Sequence, residues 1–311
     1  MPRTMLLGTT AVLGCLAIAA PAAAETLRFA YQTDVNTLDP HGLNETFTLG
    51  FQGNVYEGLI RRGPDLAIEP ALATDWEIVE PNRWRFYLRE GVTFHDGSPF
   101  TADDVVFSAE RVRAEGSDLR TRLAGVVDVI AVDDLTVDFV TEQPNPILHA
   151  EWDTWYIMSR AWSEANDAVE PTNVADQTGA FAHMNANGTG PFMISSREAD
   201  IRTVAVPNPD WWDMPEHNLT EVIFQPIASD STRIAALLSG EMDMVYPVPI
   251  QDVPRVDDTA GVTAGATAGP ATGAQAGRGY YKGMAVFVHT KGGLMYEAAI
   301  GGQKFSFQPF K

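Results

Sequence analysis

The chain has 311 residues and 45 % apolar content, enough to bury a sizeable core and to form two domains. Its formal charge is −20; a nucleic-acid-binding surface is expected to be basic, so nucleic acid is excluded as a partner. The charge fits an acidic surface that keeps the protein soluble.

Cys15, the single cysteine, sits in the first 24 residues. Arg3, the apolar run from Met5 to Ala20 and Pro21-Ala-Ala-Ala24 before Glu25 predict a secretory signal peptide cut after Ala24. The alternative is a lipoprotein site at Val12-Leu-Gly-Cys15, but the residues after Cys15 stay apolar where a lipoprotein turns polar. Cleavage after Ala24 leaves no cysteine, so neither disulfide nor thiol chemistry is expected. No later segment reaches about 18 consecutive apolar residues, and no anchor is predicted.

Thr26 to Tyr31 (TLRFAY) predicts a strand, followed by a polar loop from Gln32 to Asn36. Phe47, Phe51, Val55 and Leu59 fall at helical spacing and predict a helix over 46–59. Thr74 to Glu80 predicts a strand, Pro81-Asn82 a turn, and Trp84, Phe86 and Leu88 one face of a second strand. Gly91 breaks it and Asp96-Gly97 is a tight turn. Thr101-Ala-Asp-Asp104 fits a capping box, ahead of the apolar stripe Val105, Val106, Ala109 and Val112. Val126 to Ile130 and Thr136 to Val140 pair around Asp133-Asp134. Ile147 to Ala161 reads as an aromatic helix, on which Trp152, Trp155 and Tyr156 share a face; that face is either core or the wall of a cleft. Strands follow over 192–195, 203–206 and 221–226. A helix over 229–238 closes on Ser239-Gly240, and a strand over 241–246 comes after it.

These motifs carry a resemblance. The stretch Leu72 to Ser108, with its Leu-Arg-Glu-Gly-Val-Thr-Phe-His-Asp-Gly run, is similar to the signature of the extracellular solute-binding proteins of the peptide/nickel class, family 5, which feed ABC importers. Leu38-Asp-Pro-His41, Asn54 to Arg62, Gly188-Thr-Gly-Pro-Phe192, Asn208 to Trp212 and Asp230 to Asp243 match further blocks, so the resemblance covers about residues 25–260. It implies a mixed α/β, type II periplasmic-binding-protein fold: a first lobe over 25–260 with an inserted subdomain at about 60–165. It implies a small, peptide-like solute as ligand, permease subunits in the inner membrane as partners, a periplasmic monomer, and no cofactor or metal. Carried over by motif, Gln32, Thr33, Asp34, Asp153, Thr154, Trp155, Tyr246 and Pro247 would line the cleft. The family's second-lobe block is absent, so a truncated clamp is expected.

Beyond residue 260 the composition changes. Residues 25–260 hold 15 arginines, no lysine and 40 acids, a net of −25, whereas 261–311 hold Arg278, four lysines and Glu297, a net of +4. The asymmetry marks 261–311 as a separate segment, a Gly/Ala-rich linker and a β tail of one or two hairpins, with an ordinary basic tail as the alternative. Gly292 to Phe305 (GGLMYEAAIGGQKF) resembles the C-terminal end of the lipid-binding SYLF (Ysc84-like) domain, which implies an exported interaction protein with a lipid- or envelope-contacting tail as the second functional reading.

Enzyme chemistry finds no support. His95-Asp96 beside Asp103 and Asp104 could be a metal cluster, but Asp-Gly makes the turn and Asp104 caps the helix. The six histidines show no short metal spacing. Nucleophile-elbow, phosphate-loop, zincin and dinucleotide-binding motifs are absent, and Gly188-Thr-Gly190 is too short to be more than a turn.

Overall fold

The computed structural model describes residues 25–63, 67–152, 154–175, 180–214 and 217–262, and beyond these only three short strand backbones. The expected signal peptide, the Cys15 alternative, Asp153 and the SYLF-like run lie outside the described residues.

In chain order the elements are β1 (Glu25–Tyr31), α1 (Thr46–Gln52), β2 (Ile60–Arg62), β3 (Ile68–Pro70), β4 (Ala73–Glu80), β5 (Arg83–Leu88), α2 (Ala102–Arg113), β6 (Val126–Asp133) and β7 (Thr136–Thr141). Then come α3 (Arg160–Ala165), α4 (Phe181–Met184), β8 (Phe192–Glu198), β9 (Arg202–Pro207), β10 (Leu219–Pro226), α5 (Asp230–Ser239), β11 (Met244–Val248), α6 (Val253–Asp257), β12 (Ala264–Thr267), β13 (Gln275–Ala276) and β14 (Val286–Val288). The main sheet runs β13-β12-β14-β11-β1-β10-β9-β8, with β1 parallel to both β10 and β11. A separate antiparallel sheet, β4-β5-β7-β6, is built from chain between β1 and β8.

Residue alternation explains the layers. On β1, Phe29 joins Phe47, Phe51, Phe224 and Met244 in a core beneath α1, while Ala30 faces the other way into Ile234, Leu237, Val245 and Val256 beneath α5 and α6. On β5, Trp84, Phe86 and Leu88 are buried and Arg83, Arg85 and Tyr87 are not. The buried face packs on the largest core, where Trp152 sits 4.5 Å from Phe139 and 5.5 Å from Phe86. Aromatic rings of this size bury about 150–250 Å² each, worth about 4–6 kcal/mol per ring at ~25 cal/mol/Å².

The capping box forms at α2. The Asp104 carboxylate accepts from the Thr101 backbone N–H at 2.9 Å and from its hydroxyl at 3.2 Å. Its other oxygen takes the Arg160 N–H at 2.8 Å, which ties α2 to α3. Ser229 caps α5 and Gly240 ends it in the left-handed region, at φ 78°.

Two helices expected from spacing are corrected. The first stops at Gln52 instead of reaching Leu59. The Asn54 side chain donates to the carbonyls of Gly50 and Phe51, and the N–H groups of Val55 and Tyr56 both turn back to Gln52 O. Val55 and Leu59 are still buried, so the apolar spacing recorded burial without a helix. The second, over 147–161, is a short 3-10 turn at Leu148–Glu151, non-helical chain over 154–159, then α3. Its backbone donors are spent on tertiary partners: Ile157 N–H on Glu57 O at 2.9 Å and Met158 N–H on Ser108 Oγ at 2.9 Å. The expected tail hairpins lie outside the described residues. Of the tail, β14 pairs in parallel with β11 and β12, continuing the main sheet, and β12 pairs antiparallel with β13.

Candidate functional site

Open α/β sheets present ligands at the carboxyl ends of their parallel strands, where the following loops diverge. Here β1 ends at Tyr31, which stands in register with Pro226 on β10 and Tyr246 on β11. Tyr31 and Tyr246 stack across the two strands at 5.5 Å and 12°, and Phe47 of α1 stacks on Tyr31 at 3.6 Å and 10°. Both tyrosines are half-buried and Phe47 is buried. The result is a row of three near-parallel rings at the strand ends. Burial pushes both phenols above their usual range, and Glu45 adds to this at Tyr31, so both are neutral hydroxyls at physiological pH.

The loops around this row are held by ion pairs. Asp34 accepts from Arg197 at 3.2 and 3.4 Å and from the Asp200 N–H at 2.8 Å, while Arg197 also reaches Thr203 Oγ1 at 2.9 Å. Arg233 is fully buried; it donates to Pro247 O at 2.9 and 3.1 Å, to Ile227 O at 2.7 Å, and to Asp230. Glu45 caps α1, accepting from the N–H groups of Phe47 and Thr48.

The residues expected to line the cleft divide. Gln32, Thr33, Asp34, Tyr246 and Pro247 come together at this end of the sheet, with Gln32 and Thr33 exposed. Asp34 and Pro247 act through the two arginines just described. Trp155 is corrected: it is 0 % exposed, 5.3 Å from Trp152 and 6.0 Å from Phe139, and belongs to the core. Thr154 is half-buried beside it, and its Oγ1 is buried with no hydrogen-bond partner. Tyr31 and Phe47 were not singled out from the sequence. The signal was available in the period-two pairing of Phe29 with Tyr31 at the end of β1.

The metal alternative at His95 is also resolved by contacts. His95 Nε2 sits 3.0 Å from Gly190 O, its Nδ1 accepts the Gly188 N–H at 3.3 Å, and Asp96 caps Ser98. Among the described residues no group of three His, Cys, Asp or Glu side chains is arranged to hold a metal.

Two buried acids were missed by sequence reasoning. Asp39 forms a bidentate pair with Arg111 at 2.6 and 2.7 Å, both side chains being 0 % exposed. His41 Nδ1 accepts from the same guanidinium at 3.1 Å, and its Nε2 faces Tyr156 O at 2.9 Å, the arrangement of a neutral imidazole. Burial and the Arg111 charge push His41 down to about 3. Glu57, near the other end of the α1 segment, accepts from Thr189 Oγ1 at 2.9 Å, Trp212 Nε1 at 2.9 Å and Trp211 Nε1 at 3.3 Å. Arg89 stacks on Trp212 at 3.8 Å, and Arg61 lies 5.5 Å from the same ring while pairing with Asp213.

Burial raises Glu57 to about 7 against those hydrogen bonds. An unfolded glutamate ionises near 4.5. Below that pH both states are neutral and Glu57 imposes no penalty. As pH rises through 4.5 to 7 the unfolded state ionises first, and stability falls by on the order of 3 kcal/mol. Glu57→Gln is therefore expected to gain stability relative to wild type as pH rises across this window, measured as the difference in thermal midpoint. A difference that stays flat from pH 4.5 to 7 would show that Glu57 titrates normally.

Comparison with known proteins then adds a family. The model of the bacterial extracellular solute-binding proteins, family 5 Middle, matches residues 67–287, past the boundary at 260 expected from the sequence. Among curated relatives, a probable deoxycholate-binding periplasmic protein of Escherichia coli K12 is 26 % identical over 253 residues, covering 75 % of this chain and 46 % of its own length. A probable D,D-dipeptide-binding periplasmic protein of the same strain is 28 % identical, covering 71 % of this chain and 43 % of its own. The structure of an ABC transporter-associated periplasmic binding protein from Helicobacter pylori, in complex with the peptide STSA, superposes with a TM-score of 0.67 at 26 % identity. That match covers 77 % of this chain and 50 % of the other. The chain thus spans about half the length of the proteins it matches, and these are binding proteins of transport systems rather than enzymes.

Proposed function

We propose, from the premise that this chain belongs to family 5 of the bacterial extracellular solute-binding proteins, that it supplies the first-lobe half of a solute-binding site serving an ABC importer for peptides or similar small solutes. The observation that carries the reading is the convergence of β1, β10 and β11 on one open end, with Tyr31 and Tyr246 half-buried there, the loop after β1 held by Arg197, and the loop after β10 tied to Pro247 of β11 by Arg233. A rigid floor of this kind satisfies part of a ligand with aromatic contacts and backbone groups while a second lobe closes over it.

In this reading, residues 1–24 direct export and are cut after Ala24, and 25–260 form the first lobe. The β4–β7 sheet belongs to an inserted subdomain at about 60–165, and the protein acts as a periplasmic monomer that delivers its solute to permease subunits. Among the described residues no helix is long and apolar enough to cross a membrane. The family match and the pairing of β14 with β11 favour residues 261–287 as a continuation of the solute-binding protein.

The test is a thermal-shift and calorimetric screen of the 311-residue chain against dipeptides and oligopeptides. A saturable shift with at least one peptide class is expected. Silence across the panel, with a family 5 protein of full length responding in the same plates, would sink the proposal.

A further inference from the structure

The mouth of the proposed site has a chemistry of its own. Three rings lie in a row, Phe47 on Tyr31 at 3.6 Å and Tyr31 beside Tyr246 at 5.5 Å, and packing leaves both tyrosines half-exposed at the strand ends. The arginines that reach this end are already paired. Arg233 is buried and spends its donors on Pro247 O, Ile227 O and Asp230; Arg197 is held by Asp34, Val35 O and Thr203. Neither is placed to receive a ligand carboxylate. Glu45 caps α1 two residues before Phe47, and its hydrogen bonds come from two backbone N–H groups; after burial it is the larger influence raising the Tyr31 phenol, ahead of the Arg233 charge that lowers it. The field behind this mouth is that of a segment with a net charge of −25 over residues 25–260.

We infer that this lobe selects the part of the ligand it holds: it takes an apolar or aromatic group carried on a neutral or cationic segment, and it disfavours an anionic one. The inference rests on the solute-binding reading above and deepens it. Aromatic groups gain from packing against the rims of the ring row, in tilted or offset contact. Among the described residues, anionic groups meet Glu45 and the acidic field without an available counter-charge, while cationic groups meet both favourably.

The experiment is isothermal titration of the full chain with four peptides of one length: Ala-Phe-Lys, Ala-Ala-Lys, Ala-Phe-Glu and Ala-Ala-Glu. Replacing Phe by Ala in the ligand is expected to weaken binding by up to about tenfold. Replacing Lys by Glu is expected to weaken it further in dilute buffer, with the gap narrowing in 0.5 M salt as the field is screened over roughly a few ångströms. Tyr31→Leu and Tyr246→Leu keep an apolar floor but remove the rings, and each is expected to flatten the Phe preference while leaving the Lys preference in place. Circular dichroism of each variant controls for folding. Glu peptides binding as tightly as Lys peptides, or equal affinity for Phe and Ala, would overturn the inference with peptide binding itself intact. Failure of every peptide to bind would instead retire the solute-binding reading, and this inference with it.

Discussion

Replacing Arg111 by leucine is expected to destabilise the protein by about 3–5 kcal/mol, the range for removing one partner of a fully buried ion pair. The Arg111 guanidinium reaches from α2 to Asp39 in the loop after β1 and also donates to Ala168 O and Glu170 O at 3.0 Å each. One side chain therefore fastens the loop that leads from the main sheet to α1, helix α2, and the segment after α3. Burial alone would push the Asp39 carboxyl up, but Arg111 and its hydrogen bonds outweigh it and hold the group well below the usual carboxylate range. Without the guanidinium, Asp39 keeps the N–H groups of His41 at 3.0 Å and Thr172 at 2.7 Å, and no positive charge. The double variant Asp39→Leu/Arg111→Leu is expected to recover part of the loss, because an apolar pair needs no desolvation of charge. Urea denaturation of the single and double variants measures both. A single-variant loss under about 1 kcal/mol would mean the pair adds little beyond packing.

The same cluster sets an acid limit. His41 is neutral in the fold down to about 3, whereas an unfolded histidine binds its proton near 6.5. Acidification below 6.5 therefore favours the unfolded state, and Asp39 extends the loss below the ordinary carboxylate range. Glu57 acts in the opposite sense between 4.5 and 7, so between 4.5 and 6.5 it offsets the loss from His41, and below 4.5 the loss from the Asp39–His41 cluster stands alone.

What was legible in the sequence and what was not follows the sequence separation of the contacts. Pro70 to Val106 is legible nearly residue by residue, because a hairpin, an Asp-Gly turn and a capping box are each decided by neighbours within a few positions. The ends of α1 and the break after Leu148 were not. They depend on where backbone N–H groups find partners, and Ile157 finds one on Glu57, far along the chain. The Asp39–Arg111 pair spans 72 positions and the Glu57–Trp212 bond 155, so no periodicity could show either. At the candidate site, Gln32 to Asp34 lie in the loop after β1 and Tyr246-Pro247 within β11, at the same end of the sheet. The ring row was not seen, because stacking across parallel strands needs the register of β1 against β11. Trp155 shows the opposite failure: its neighbours suggested a shared helical face, and the chain there is not a helix.

Gly188→Ala is expected to cost at least about 3 kcal/mol, at or beyond the upper end of the usual overpacking range. A Cβ at Gly188 would stand 1.9 Å from Val55 O, 2.7 Å from Val55 C and 3.0 Å from Tyr56 Cα. All three are backbone atoms of the turn that follows α1, so no side-chain rotation relieves the contact. The approach is that close because the two segments are laced together: Gly190 N–H donates to Val55 O at 2.9 Å, Phe192 N–H to Asn54 O at 3.0 Å, and His95 N–H to Gly188 O at 2.8 Å. Thr189 between the glycines reaches Glu57 at the same seam. What reads in the sequence as a small Gly-Thr-Gly turn is a joint where three stretches of chain meet backbone to backbone. Gly240→Ala separates this effect from backbone strain. Gly240 has φ 78° and nothing within 4 Å of where a Cβ would stand, so alanine there costs only the left-handed conformation, about 1–2 kcal/mol. Thermal denaturation of the two variants side by side should rank Gly188→Ala as clearly the more damaging. The reverse order would mean that the turn after α1 can move away from the joint.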